Sequence, residues 1–179
     1  KIQTTAVNKK NNTHYSEAEK EVTIVDTVKY ENVLKGKKYT VTGVLMDRDA
    51  GVPIYKDAET KKPVTATATF TAESENGTAD VEFTFDASLY EGVTVVAFED
   101  LYYNGVKVGT HSDLSDEEQA VHIVKIGTTA ADKFTMDHVL KHGKTEIIDT
   151  VSYKGLVPGT EYVLSATLMD KETGKPYSD

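Results

Sequence analysis

The chain has 179 residues, 27% of them charged, and a formal charge of -9. Its Lys and Arg are scattered among acidic neighbours, which argues against nucleic acid and anionic membrane as partners, because phosphate contacts need clustered positive charge. Cys is absent, so any covalent brace must come from chemistry other than a disulfide.

No stretch is long enough to span a bilayer and no signal-peptide pattern is present. The chain starts at Lys1, so it is read as an excerpt of a longer polypeptide. Tyr outnumbers Phe by 10 to 5 and Trp is absent, a balance that suits half-buried strands better than a large apolar interior.

In chain order, the dominant period is two. Ile2, Thr4 and Ala6 share one face of a first strand. Over Glu21–Lys29, Val22, Ile24 and Val28 share a face, and Asp26 lies on it. Tyr39, Val41, Gly43 and Leu45 alternate with Thr40, Thr42 and Val44. Val64, Ala66, Ala68 and Phe70 alternate with Thr65, Thr67, Thr69 and Thr71, and Val81, Phe83 and Phe85 follow the same rule. Asp86–Tyr90 reads as one helical turn. Over Val93–Leu101, Glu99 shares a face with Val93, Val95, Ala97 and Leu101. A second single turn is expected near Asp113–Glu118, and Gln119 then shares parity with Val121 and Ile123 in the strand Ala120–Lys125. Asn76-Gly77 and Asn104-Gly105 read as tight turns. The pattern predicts an all-β, immunoglobulin-like β-sandwich.

An internal repeat sets the domain count. Thr4-Thr5-Ala6 recurs as Thr128-Thr129-Ala130, at an offset of 124. Asp26-Thr27-Val28 and Leu45-Met46-Asp47 recur as Asp149-Thr150-Val151 and Leu168-Met169-Asp170, at an offset of 123. Both copies run on to a Pro, an aromatic and an Asp (Asp57 and Asp179). One complete domain is therefore expected over residues 1–125, followed by the N-terminal part of a second copy over 126–179. Almost no linker separates them, so the joint should be stiff. The partial copy, about three strands long, should leave exposed strand edges.

Parity also marks polar groups in the wrong place. Thr4, Asp26, Glu99 and Gln119 occupy the core-facing side of four strands, including the first and last of the domain. Buried carboxylates are costly unless paired or protonated, so two of them close together point to chemistry.

These residues resemble the intramolecular ester-bond domains of Gram-positive adhesins, the repeats marked by a Val-Ala-Phe-Glu motif, here Val96-Ala97-Phe98-Glu99. The family's Thr-Thr opening matches Thr4-Thr5, and its Asp-Thr-hydrophobe stretch matches Asp26-Thr27-Val28 ahead of Tyr30. Its closing His, Asp and Gln match His111, Asp116 and Gln119 in spacing. The resemblance implies that the Thr4 hydroxyl attacks the Gln119 amide, releasing ammonia and leaving an ester. It implies that His111 assists proton transfer, that Asp26 and Glu99 form an acidic pair, and that Asp116 orients His111. Thr128 and Asp149 would be unpaired equivalents in the second copy. The chemistry is coherent, because a Thr hydroxyl needs a base and two adjacent carboxyls retain a proton for the leaving group.

That resemblance implies a stalk repeat of a cell-wall-anchored surface adhesin, held to the wall through a region outside this sequence. Its partners would be neighbouring tandem domains and an unknown host ligand. It would need no cofactor or metal, and would perform one intramolecular acyl transfer without turnover. Three other readings compete. A hydrolase built on Ser112 or Ser115 lacks a nucleophile elbow. A calcium site at Asp113, Asp116, Glu117 and Glu118, or at Asp47-Arg48-Asp49-Ala50-Gly51, lacks the bidentate Glu, since Ala58 stands at the twelfth position. A ligand-binding adhesin module without a cross-link is the third. His14, His122, His138 and His142 lack ligand spacing and are expected to face solvent.

Overall fold

Period-two alternation becomes a β-sandwich in the computed structural model, which describes residues 1–177; the repeat's closing Asp179 lies outside them. The strands are β1 (Ile2–Asn8), β2 (Tyr15–Glu17), β3 (Val22–Tyr30), β4 (Lys38–Asp47), β5 (Val52–Pro53), β6 (Thr65–Thr71), β7 (Gly77–Phe85), β8 (Thr94–Tyr103), β9 (Val106–His111), β10 (Ala120–Asp132) and β11 (Ile147–Lys154). The two expected helical turns are short 3-10 turns at Ala87–Tyr90 and Glu117–Gln119, each opened by an Asp side chain that accepts a backbone N–H, Asp86 and Asp116.

One sheet has the order β1-β3-β7, and the other runs β11-β10-β8-β4-β5, with β2 added to β10, β6 to β4 and β9 to β8. The inward residues of both sheets interdigitate: Ile24, Val28, Val81 and Phe83 meet Val41, Leu45, Val95, Ala97, Val121 and Ile123. This core places the edge strand β1 of one sheet beside the Glu117–Gln119 turn that leads into β10 of the other. The ends of the first domain therefore face each other across the sandwich.

The Asn104-Gly105 turn is as expected, with both residues at positive φ (49 and 77) between the paired strands β8 and β9. Asn76-Gly77 is not a hairpin, because β6 and β7 belong to different sheets. A β-carbon at Gly77 would overlap the Tyr30 ring across the strand pair, so this glycine makes room rather than a turn.

The boundary expected at 125/126 falls inside β10, a single 13-residue strand. Its first residues pair with β8 and β2, and Lys125–Asp132 pair with β11. The repeat is visible in register: Thr4 opposes Val28 and Ala6 opposes Asp26, while Thr128 opposes Val151 and Ala130 opposes Asp149. The Met46–Pro53 pairing likewise recurs as an isolated bridge between Met169 and Pro176. The second copy nonetheless has fewer strands than its sequence pattern suggests. The stretch equivalent to β4 is not a strand, for a physical reason. In the first copy β4 is held by hydrogen bonds to β6 and β8, and their counterparts are not among the described residues.

Candidate functional site

Four polar side chains sit in the core where parity placed them. Thr4 is 5% exposed, Glu99 2%, and Asp26 and Gln119 are fully buried. β1 carries Thr4, its neighbour β3 carries Asp26, β8 carries Glu99, and the Glu117–Gln119 turn delivers Gln119. His111, the last residue of β9, stands opposite Glu99.

The contacts form one connected chain. Gln119 Nε2 donates to Thr4 Oγ1 in a hydrogen bond spanning 115 residues of sequence, and donates also to Glu99 Oε2 at 3.0 Å. Thr4 Oγ1 lies 3.3 Å from His111 Nδ1, and His111 Nε2 lies 3.2 Å from Asp116 Oδ2. With Asp116 accepting from Nε2–H, the imidazole presents the Nδ1 lone pair to the Thr4 hydroxyl. That is the tautomer a general base requires. His111 and Asp116 are partly exposed, and an open groove lined by Thr5, Thr27 and Glu118 reaches Thr4, His111 and Asp116 from outside.

The acidic pair behaves differently from the outer pair. Burial, the Asp26 charge and a hydrogen bond to Asp26 push the Glu99 carboxyl up to about 11. Burial also raises Asp26, opposed by hydrogen bonding to Glu99 and Thr4 and by His111. Both Asp26 oxygens, Glu99 Oε1 and Gln119 Oε1 are buried, and none of them accepts a fully formed hydrogen bond. A proton held by Glu99 and shared with Asp26 relieves part of that deficit, whereas two adjacent carboxylates would leave it whole.

The sequence-derived residues thus divide cleanly. Thr4, Asp26, Glu99, His111, Asp116 and Gln119 converge, whereas Thr128 and Asp149 are exposed on the β10–β11 ribbon. The acidic stretches weighed for calcium are engaged in local turns. Asp113 accepts from the Ser115 backbone N–H (2.9 Å) and hydroxyl (2.6 Å), Asp116 accepts from Glu118 N–H (3.0 Å), and Asp47 accepts from Asp49 N–H (3.0 Å) and Ala50 N–H (2.9 Å). Among the described residues, no group of three or more His, Cys, Asp or Glu side chains is gathered to hold a metal ion.

His122 corrects an expectation. It is buried rather than solvent-facing, with Nδ1 2.9 Å from Thr94 Oγ1 and its ring 5.1 Å from that of Tyr15. The parallel addition of β2, which sets Tyr15 opposite His122, covers what parity alone assigns to the outside.

No curated protein matches the chain. Among solved structures, two crystal forms of a bacterial adhesin from Mobiluncus mulieris containing intramolecular disulfide, isopeptide and ester bond cross-links share the fold. Each aligns at a TM-score of 0.55 and 13% identity, covering 87% of this chain and 74% or 73% of theirs. A family described as the T-Q ester bond containing domain matches twice, over residues 1–123 and 124–179. The two matches meet inside β10, one residue before its partners change from β8 and β2 to β11. Together they span the chain, which therefore belongs to the T-Q ester bond containing domain family.

Proposed function

We propose that the first domain closes itself by an autocatalytic ester between Thr4 and Gln119, and that the chain is a load-bearing stalk segment of a bacterial surface adhesin. The observation that carries the reading is the direct contact of the Thr4 hydroxyl with the Gln119 carboxamide in a buried site, with His111 on the hydroxyl and Glu99 on the amide.

The step balances without cofactor or metal. His111 Nδ1 takes the Thr4 hydroxyl proton as Oγ1 bonds to the Gln119 carbonyl carbon. Gln119 Oε1 has no donor, and a half-turn of the carboxamide brings it onto the Glu99 proton, which polarises the carbonyl. Collapse of the tetrahedral intermediate breaks the C–N bond. The nitrogen leaves as ammonia with the proton carried by His111, through the groove beside His111 and Asp116. Folding supplies the driving proximity, because it holds nucleophile and amide in contact. Burial then protects the product from hydrolysis. The reaction occurs once per molecule, so the protein is not a turnover enzyme.

Its consequence is mechanical. The link would join β1 in one sheet to the start of β10 in the other, so tension entering at β1 passes to β10 without unzipping the strands between. β10 continues directly into the second copy, which suits tandem domains set end to end on a cell surface. The adhesin assignment is supported by the similarity to the Mobiluncus adhesin and by the repeat organisation, and anchoring to the cell wall is our extension of it.

Intact mass spectrometry tests the reading. The folded protein is expected to weigh one ammonia less than its sequence, and Thr4→Val or Gln119→Ala to weigh what their sequences dictate. Full unreacted mass in well-folded wild-type protein would falsify it.

A further inference from the structure

Gly43 lies in the interior of β4, buried and directly opposite Glu99 on β8. Its φ is not in the left-handed region, so backbone conformation does not call for glycine there. A glycine inside a strand weakens it, and in such places commonly marks a close approach. The approach is explicit here. A β-carbon at position 43 would lie 2.5 Å from Cζ and 3.1 Å from Cε1 of Phe83, and 3.5 Å from Glu99 Oε1. Phe83 arrives from β7 in the opposite sheet and is fully buried. Its ring tip fills the volume a side chain at 43 would take, beside the Glu99 oxygen that accepts no fully formed hydrogen bond.

We propose that Gly43 and Phe83 are a positioning pair for the cross-linking reaction, the absent side chain letting the Phe83 ring seal the Glu99 carboxyl from water so that Glu99 keeps its proton. This rests on the ester reading above but adds residues to it. A carboxyl against an aromatic wall stays protonated because no solvent is present to hydrate its anion. The other groups facing Glu99 are Asp26 on β3, Thr4 on β1, Gln119, and His111 at the end of β9 with Asp116 behind it; of the core-facing residues, β4 and β7 contribute no charge at this point. Asp26 opposes ionisation of Glu99 by charge, and the Gly43–Phe83 pair opposes it by desolvation.

The two contributions separate experimentally. In the Thr4→Val protein, which has no nucleophile, the Glu99 carboxyl can be titrated by 13C NMR in the unreacted site. Adding Phe83→Leu, which opens the seal, is expected to lower the Glu99 midpoint by roughly one pH unit or more. Gly43→Ala, which forces the ring away, should act in the same direction. With Thr4 retained, both variants should form the ester about ten-fold more slowly by intact mass. An unchanged Glu99 midpoint in folded Phe83→Leu protein overturns the inference, and that variant decides alone if the methyl of Gly43→Ala prevents folding. Should wild-type protein show no loss of ammonia while Phe83→Leu still shifts the midpoint, the ester reading fails but the sealing role of the pair is upheld.

Discussion

At the scale of single residues, the proposed reaction would be divided between a wet base and a dry acid. His111 and Asp116 are partly exposed and can exchange protons with solvent, whereas Glu99 and Asp26 are sealed in the core. Removing the base should matter most: His111→Ala is expected to fold yet form the ester about 10²–10⁴-fold more slowly, the usual contribution of a positioned general base. Asp116→Asn should slow it less, by releasing the tautomer that points the Nδ1 lone pair at Thr4. Mass spectra of folded protein at set times after synthesis read both rates, and an Asp116→Asn rate equal to wild type would remove Asp116 from the reaction. Much of this site was legible in the chain, since parity marked Thr4, Asp26, Glu99 and Gln119 as polar residues on apolar faces. His111 is not visible in that way, because it ends its strand and is partly exposed; only the resemblance to the family's closing pattern, matched by His111, Asp116 and Gln119, points to it. Gly43 and Phe83 read as ordinary members of alternating strands. Their meeting depends on the register of β4 against β8 and on contact between sheets, neither of which alternation encodes.

At the scale of elements, β10 is the component with two allegiances. Its N-terminal part completes the first sandwich and its C-terminal part templates the second copy, in the register that β1 and β3 use in the first. The second copy is also moored beside it. Glu91 bridges Lys125 (3.2 Å) and Lys154 (3.3 Å), and Tyr15 and Tyr162 hydroxyls lie 3.1 Å apart. Exposed ion pairs of this kind contribute little, typically about 0–1 kcal/mol. Gly155, just past β11, is the tighter constraint, with φ of 77 and no space for a β-carbon between it and the Ile123 carbonyl oxygen. Gly155→Val should therefore release the end of β11 from the first domain, seen as faster hydrogen exchange in β11 with the first domain's melting unchanged. Exchange in β11 identical to wild type would show that the mooring lies elsewhere. The sequence repeat predicts where the strands of the second copy belong but not which of them form. A strand like β4 depends on partners on both sides, and its own alternation cannot supply them.

At the scale of the whole molecule, the proposed ester changes the unfolded state as much as the folded one. Thr4 and Gln119 are 115 residues apart, so the link would close almost the entire first domain into a ring. In the chain-entropy account derived for disulfides, a loop of that length is worth roughly 4–5 kcal/mol, which corresponds to a melting shift on the order of 15 °C for a domain of this size. Thr4→Val is the suitable comparison, because it keeps the β-branched shape on the core face of β1 while removing the nucleophilic hydroxyl and its hydrogen bonds to His111 and Gln119. Thr4→Val protein should melt lower by about that amount. Pulled from both ends, it should extend by unravelling residues 5–118, which the linked protein shields from force. If the two proteins instead melt together and extend equally while the wild type carries the mass of the ester, the bond is chemically present but mechanically idle. The stiffness of the proposed stalk would then have to rest on the continuous β10 strand and the packing of successive copies alone.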